Sequence, residues 1–136
     1  PIREGYAEEI YIVSSGELMS LYAANNIAKG VRRFAARGVV KLGGIIGNGR
    51  DVAREKELLE AFAARLGTKL IAYIPRSAAV HEAEIHRQTL IAYAPDSAQA
   101  KVYEELAAAI EENKNLVIPK PMAFEELEDL VESYGN

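Results

Sequence analysis

The residues of this chain that are best suited to ligand chemistry lie in one short stretch, Gly47-Asn48-Gly49-Arg50. The stretch follows the apolar run Leu42 to Ile46 and precedes an amphipathic helix pattern that begins at Asp51. This order predicts a buried parallel strand that ends in a loop at the edge of an α/β sheet, where open sheets of this kind bind ligands. The side-chain amide of Asn48 can both donate to and accept from the edge of a purine. Asn48 is therefore a candidate base contact, although it also suits a turn between two glycines.

Two further loops are expected at the same edge, because each also follows a predicted strand. They are Ser14-Ser15-Gly16 and Pro75-Arg76-Ser77. Ser15 is interpreted as a helix N-cap, since no serine–histidine–aspartate arrangement is visible. His81 and His86 are five residues apart and would point in different directions on a helix, so we do not predict that they bind a metal together. No pair of carboxylates is identified as a catalytic acid and base.

Two known phosphate-binding patterns are absent or incomplete. The P-loop pattern Gly-x-x-x-x-Gly-Lys-Ser/Thr does not occur in the sequence. Gly47 and Gly49 suggest a dinucleotide fingerprint, but Val52 stands where that fingerprint has Gly or Ala. A small Rossmann-type dinucleotide binder stays open as one hypothesis, which titration with NAD and adenine nucleotides would test.

The elements expected to position these loops alternate between strand and helix. Apolar patterning predicts strands over 9–14, 42–46 and 69–74, an extended stretch over 90–94, and helices over 17–37, 51–66, 78–88, 96–112 and 123–133. Such alternation implies an α/β fold with a parallel sheet and flanking helices. We expect a single α/β unit over 1–136, in which 116–136 form an extended segment and a tail helix. Three strands make a small sheet with exposed edges, so it is expected to be half of a larger one.

Composition argues against several functional classes. The chain is 49% hydrophobic and 26% charged, which is typical of a globular domain, and its net charge of −4 argues against nucleic acid as a partner. The absence of cysteine excludes disulfides, thiolate metal sites and a cysteine nucleophile. No apolar run approaches the ~18 residues of a membrane span, and no signal peptide is visible, so a cytoplasmic protein without membrane partners is expected.

Segments along the whole chain, in order and at matching spacing, resemble one known family. They are Pro-Ile-Arg-Glu-Gly at 1–5, Glu-Ile-Tyr-Ile-Val at 9–13, Ser-Gly-Glu-Leu-Met at 15–19, Tyr-Ala-Ala-Asn-Asn-Ile at 22–27, Leu-Gly-Gly-Ile-Ile-Gly-Asn at 42–48, Ile-Pro-Arg-Ser at 74–77, Tyr-Ala-Pro-Asp-Ser at 93–97 and Ile-Pro-Lys-Pro-Met at 118–122. These segments resemble the C-terminal half of the nitrogenase iron protein family. The resemblance implies the C-terminal half of a P-loop NTPase-like fold. Its members are homodimeric ATPases that hold a four-iron, four-sulfur cluster between subunits and pass electrons to a catalytic partner.

The resemblance also implies roles for individual residues. It implies that Asn48 contacts the adenine of a bound nucleotide and that the same side of the pocket is lined by Pro75, Arg76, Ser77, His81, Gln99 and Tyr103. Arg3 matches a position near the docking face for the catalytic partner. The chain departs from common family residues at Tyr6 (lysine in nitrogenase-type members), Gly47 (cysteine), Gly49 (serine), Ser77 (aspartate) and His81 (glutamine).

In the family, the P-loop, both switch regions and the cluster cysteines belong to the N-terminal half, and this sequence contains none of them. The leading hypothesis is therefore a C-terminal portion of an ATP-dependent electron-transfer reductase, which lacks ATPase and reductase activity by itself. Family cofactors are ATP or ADP with Mg²⁺ and the cluster, none of which this chain alone is expected to hold tightly. The implied partners are the N-terminal half of the same protein, a second copy, and the catalytic component of a nitrogenase-like reductase.

The alternative hypothesis is a stand-alone binding or assembly module. Such a module would self-associate through the edge of strand 9–14 or bind a separately made N-terminal half.

Overall fold

Three parallel strands form the centre of the protein in a computed structural model that describes residues 8–38 and 40–135. The strands are β1 (Glu9–Ser14), β2 (Lys41–Asn48) and β3 (Leu70–Ile74). The helices are α1 (Leu18–Ala35), α2 (Glu55–Leu66), α3 (Ala78–Ile85), α4 (Leu90–Tyr93), α5 (Ala98–Glu112) and α6 (Phe124–Tyr134). The predicted α/β fold class is confirmed.

The strands pair in chain order, with β2 in the middle. Ile12 lies opposite Ile45 in the first ladder, and Ile46 lies opposite Ala72 in the second. All of β2 except its two end residues is buried, because both of its edges are paired and helices cover it. Since the pairing is parallel, the carboxyl ends of all three strands lie at one edge of the sheet.

The hydrophobic core lies between the sheet and helices α1, α2 and α6. Its largest fully buried side chains include Phe62, Ile12, Leu21, Leu42, Ile45, Leu58, Leu59, Leu66 and Leu127. Helix α5 contacts β3 instead. The core therefore holds in place the sheet that carries the strand ends, and α5 packs beside those ends against β3.

The extended segment 116–123, which we call the tail strap, connects α5 to α6. Val117 and Leu42 exchange two backbone hydrogen bonds of 2.8 and 2.9 Å in an antiparallel bridge to β2. Farther along, the buried side chain of Asn25 donates to the carbonyl of Met122 (2.7 Å) and accepts from its N–H group (2.9 Å). These bonds place α6 against α1 and α2.

The start of α2 was predicted wrongly. The amphipathic pattern indicated a start at Asp51, but the helix begins at Glu55. Asp51 and Arg54 have left-handed backbone conformations, with φ of 59° and 51°, and left-handed residues interrupt a right-handed helix. Residues 51–54 therefore form a loop that lengthens the connection at the sheet edge.

Three other element predictions were wrong in detail. The stretch 90–94 is not extended: Leu90–Tyr93 is a short helix whose first turn is capped by the Thr89 hydroxyl, which accepts from the N–H of Ala92 at 3.2 Å. Strand β2 continues past its predicted end at Ile46, because Gly47 and Asn48 still pair with β3. The N-cap of α1 is Glu17 and not Ser15.

Among the residues that the structure describes, no helix combines the length and the apolar character needed to cross a membrane.

Candidate functional site

The carboxyl ends of β2 and β3 open onto a cleft of 390 Å³, which we call the rim cleft. Its walls come from the end of β2, the loop after β3, and helices α3 and α5. The lining residues are Asn48, Gly49, Arg50, Ile74, Pro75, Arg76, Ser77, Val80, His81, Glu84, Gln99 and Tyr103. The structure thus brings all seven sequence-predicted pocket residues to one cleft. Arg3 lies outside the described residues.

Asn48 is the last residue of β2, where it pairs with Ile74 and carries an exposed side chain. It is therefore a strand residue and not the centre of a turn between two glycines. The next N–H group, that of Gly49, donates to the carbonyl of Ile74 at 2.7 Å. The two strands approach so closely there that a Cβ at position 49 would lie 2.8 Å from the Tyr73 hydroxyl. The close pairing fixes Asn48 beside the loop that follows β3.

The loop after β3 is held by two side chains that the sequence assigned to the pocket. The Ser77 hydroxyl accepts from the N–H of Ala79 at 3.2 Å and caps α3. The buried side chain of Gln99 donates from Nε2 to the carbonyl of Pro75 at 3.0 Å. Both residues therefore shape the cleft wall through the backbone. The pair between Arg76 and Asp51 is long, at 3.8 Å, and exposed, so it contributes little stability.

The two histidines lie in different surroundings. His81 lines the rim cleft, and its Nδ1 is 3.8 Å from a carboxylate oxygen of Glu84 on the same helix. His86 stacks on Tyr93 with ring centroids 4.8 Å apart. Within residues 8–38 and 40–135, no group of three or more His, Cys, Asp or Glu side chains is arranged to hold a metal ion.

A buried carboxylate beside the cleft, that of Glu55, was not predicted from the sequence. This side chain is 3% exposed, and it accepts hydrogen bonds from the backbone N–H groups of Gly16 (2.9 Å) and Arg50 (2.9 and 3.1 Å). It also accepts from the hydroxyl of Tyr73 at 2.8 Å. The signal in the sequence was weak, because an acidic residue in the first turn of a helix ordinarily only complements the helix dipole.

Tyr73 stays protonated over the physiological pH range. Its burial, its hydrogen bond to Glu55 and the nearby negative charge of Glu55 raise its pKa to about 12. A protonated phenol is a hydrogen-bond donor, which is the form that the Glu55 carboxylate needs as a partner.

Comparisons with known proteins identify a family and a structural neighbour. A family model described as 4Fe-4S iron sulfur cluster binding proteins, NifH/frxC family, matches residues 1–136. Among solved structures, the cell division ATPase MinD of Pyrococcus furiosus is similar, with a TM-score of 0.58 and 20% sequence identity. That match covers 78% of this chain and 43% of the MinD chain, so this chain aligns with less than half the length of its neighbour. At this identity, the likeness shows a shared fold alone, which agrees with the fold class that the family resemblance implied.

Proposed function

The chain belongs to the NifH/frxC family of 4Fe-4S iron–sulfur cluster binding proteins, and we propose that it supplies the adenine side of the nucleotide site of an ATP-dependent electron-transfer reductase. The observation that carries this proposal is the rim cleft. Asn48, the loop 75–77, His81, Gln99 and Tyr103 come from four separate elements of the chain and line one cleft at the strand ends.

The chemistry of the cleft suits a purine base. The exposed amide of Asn48 offers a donor and an acceptor at the end of β2, and Pro75 and Tyr103 offer flat apolar surface. A volume of 390 Å³ lies within the range of small-molecule sites. The bonds from Gln99 to Pro75 and from Gly49 to Ile74 hold the walls in place before a ligand arrives, which lowers the entropic cost of binding.

The residues of this chain do not fit the rest of the reductase machinery. A four-iron, four-sulfur cluster is held by cysteine thiolates, and the chain has no cysteine. A P-loop pattern for the phosphates is also missing from the sequence. We therefore assign the phosphate end of the site and the cluster ligands to the N-terminal half of the same protein, and we expect neither ATP hydrolysis nor electron transfer from this chain alone. In the whole protein, the proposed partners are a second copy and the catalytic component of a nitrogenase-like reductase, with Arg3 near the docking face.

A titration of the isolated chain with ADP, adenosine, guanosine and NAD tests the proposal. We expect weak binding that depends on the adenine base, so ADP and adenosine bind and guanosine does not. Asn48→Ala removes two hydrogen bonds to the base, at about 0.5–1.5 kcal/mol each, so we expect its affinity for ADP to be roughly 5- to 140-fold lower. Asn26→Ala, an exposed asparagine on α1, is the matched control.

Three outcomes would contradict this assignment. Equal affinity of wild type and Asn48→Ala would remove Asn48 from the site. Binding of NAD in clear preference to ADP would favour the dinucleotide-binding hypothesis. ATP turnover that survives purification and depends on Asn48 would overturn the expected lack of activity.

A second candidate function rests on the edge of β1. Within the described residues, β1 pairs with β2 on one side only, and its Val13 side chain is 57% exposed. Unpaired backbone groups of an edge strand can pair with another strand. We propose that this edge binds the N-terminal half or a second copy, as an assembly module would. Sedimentation of the chain alone and with the separately made N-terminal half tests this, and a strictly monomeric, non-binding chain would count against it.

A further inference from the structure

We propose that Glu55 is a positioning residue of the rim cleft: its buried carboxylate joins the carboxyl ends of all three strands and so fixes Asn48 relative to the loop 75–77. This inference rests on the proposed adenine-binding function, because positioning matters only if the cleft has a ligand. Glu55 itself does not line the cleft and would not touch the nucleotide.

The hydrogen bonds of Glu55 reach three consecutive parts of the sheet edge. One carboxylate oxygen accepts from the N–H group of Gly16, in the loop after β1, at 2.9 Å. Both oxygens accept from the N–H group of Arg50, in the loop after β2. The hydroxyl of Tyr73, within β3, donates to Oε1, the oxygen that Gly16 does not contact, at 2.8 Å. One buried side chain therefore connects the loop after β1, the loop after β2 and strand β3.

The negative charge of Glu55 is needed for this arrangement. All of its bonded neighbours are donors, and bonds from N–H and O–H groups to a carboxylate are shorter and stronger than bonds between neutral groups. Its place in the first turn of α2 adds a favourable interaction with the helix dipole. A glutamine of the same size would turn an NH₂ group toward one of these donors and leave a buried N–H group without an acceptor.

The bond from Arg50 to Glu55 restrains the backbone that follows Asn48. The N–H groups of Gly49 and Arg50 are both fixed, the first by Ile74 and the second by Glu55, so the two peptides after Asn48 have one orientation. The following residues, Asp51 and Arg54, have left-handed conformations that non-glycine residues rarely adopt. A loop with such conformations persists only when its surroundings hold it, and Glu55 supplies that constraint.

The test uses the chain with ADP as the probe and compares wild type, Glu55→Gln, Glu55→Asp and Glu60→Gln. Glu60→Gln is the matched control, because Glu60 lies on the same helix but is exposed. We expect Glu55→Gln to bind ADP about tenfold more weakly, because the loop beside Asn48 is no longer held in one orientation before the ligand binds. Glu55→Asp keeps the charge on a shorter side chain and recovers part of the affinity. Glu60→Gln binds as wild type does.

Amide NMR spectra of the same variants, without ligand, separate positioning from a general loss of stability. In folded Glu55→Gln, we expect the signals of Gly16, Arg50 and the Asn48 side chain to shift, while signals of α6 stay in place. If Glu55→Gln does not fold, Tyr73→Phe removes a single donor and is expected to shift the same signals by less.

The outcomes are distinguishable. If wild type does not bind ADP, the proposed function fails, whatever the spectra show. If wild type binds and a folded Glu55→Gln binds equally well, or if the Asn48 and Arg50 signals do not move, the positioning role is overturned.

Discussion

Gly49→Ala tests how closely β2 and β3 must approach beside the rim cleft. A Cβ at position 49 would lie 2.8 Å from the hydroxyl oxygen of Tyr73 and 3.1 Å from the carbonyl oxygen of Ile74. The Tyr73 hydroxyl is fixed by its hydrogen bond to Glu55 (2.8 Å). The carbonyl of Ile74 is backbone and accepts from the N–H group of Gly49 itself (2.7 Å). The added methyl group therefore meets two atoms that are both held in place.

The expected size of the effect follows from these distances. Ordinary contact begins at 3.4 Å, so the methyl group must gain about 0.6 Å from the Tyr73 hydroxyl, which stretches one of the two hydrogen bonds. Overpacking of this kind costs about 1–3 kcal/mol. Replacing glycine by alanine also restricts the unfolded chain, which offsets about 0.4–1 kcal/mol. The middle values of these two ranges, about 2 and 0.7 kcal/mol, leave a net decrease of roughly 1.3 kcal/mol in the free energy of unfolding of Gly49→Ala.

Urea unfolding followed by circular dichroism measures this change, and the ADP titration measures its effect on the cleft. Gly38→Ala is the control, because a Cβ at position 38 would meet no atom within 4 Å. In a Tyr73→Phe background the hydroxyl is gone, so the cost of Gly49→Ala should be smaller, as a double-mutant cycle would show. A Gly49→Ala variant with unchanged stability and ADP affinity would refute the reasoning.

Two further predictions concern the tail strap and the pH dependence of stability. Asn25→Ala leaves the buried N–H and C=O groups of Met122 without partners, at about 1–3 kcal/mol each, so the free energy of unfolding in urea should fall by roughly 2–6 kcal/mol; a loss below 1 kcal/mol would contradict this. The pKa of Tyr73 is raised from 10.0 to about 12 in the folded chain, so its contribution to stability is full below pH 10 and is lost as the pH rises towards 12. Between pH 10 and 12, the free energy of unfolding should fall more steeply for wild type than for Tyr73→Phe. Parallel curves for the two proteins would contradict the raised pKa of Tyr73.

The sequence predicted an element well where the residues of that element alone determine its structure. The continuous β-branched and aromatic run of β1 predicted its bounds, and the helix predicted over 96–112 agrees with α5 apart from its first two residues. The pattern at 90–94 failed because a short apolar run does not separate a strand from one helical turn.

The start of α2 failed for a non-local reason. Glu55, the first residue of α2, accepts hydrogen bonds from Gly16, which is 39 positions away, and from Tyr73, which is 18 positions away. Neither partner can be identified from the residues near Glu55. The amphipathic pattern therefore extended the predicted helix over residues 51–54, which form a loop.

Some parts of the candidate site follow from the order of strands and helices, and others do not. That Asn48 and the loop 75–77 share one edge follows from the alternation of strands and helices. The positions of His81, Gln99 and Tyr103 at the same cleft were implied only by the family resemblance. The bond from Gln99 to the Pro75 carbonyl depends on the angle at which α5 crosses β3, which patterning does not encode.

The tail strap has a consequence for the order in which the protein folds. The three strands pair in chain order, so each ladder can form once the next strand has been made. The bonds between Asn25 and Met122 instead join residues 97 positions apart. Contacts of such long sequence separation carry a large loop-closure cost and form late. Interactions that form after the transition state slow unfolding without speeding folding, so the strap governs the lifetime of the native state more than the rate at which it appears.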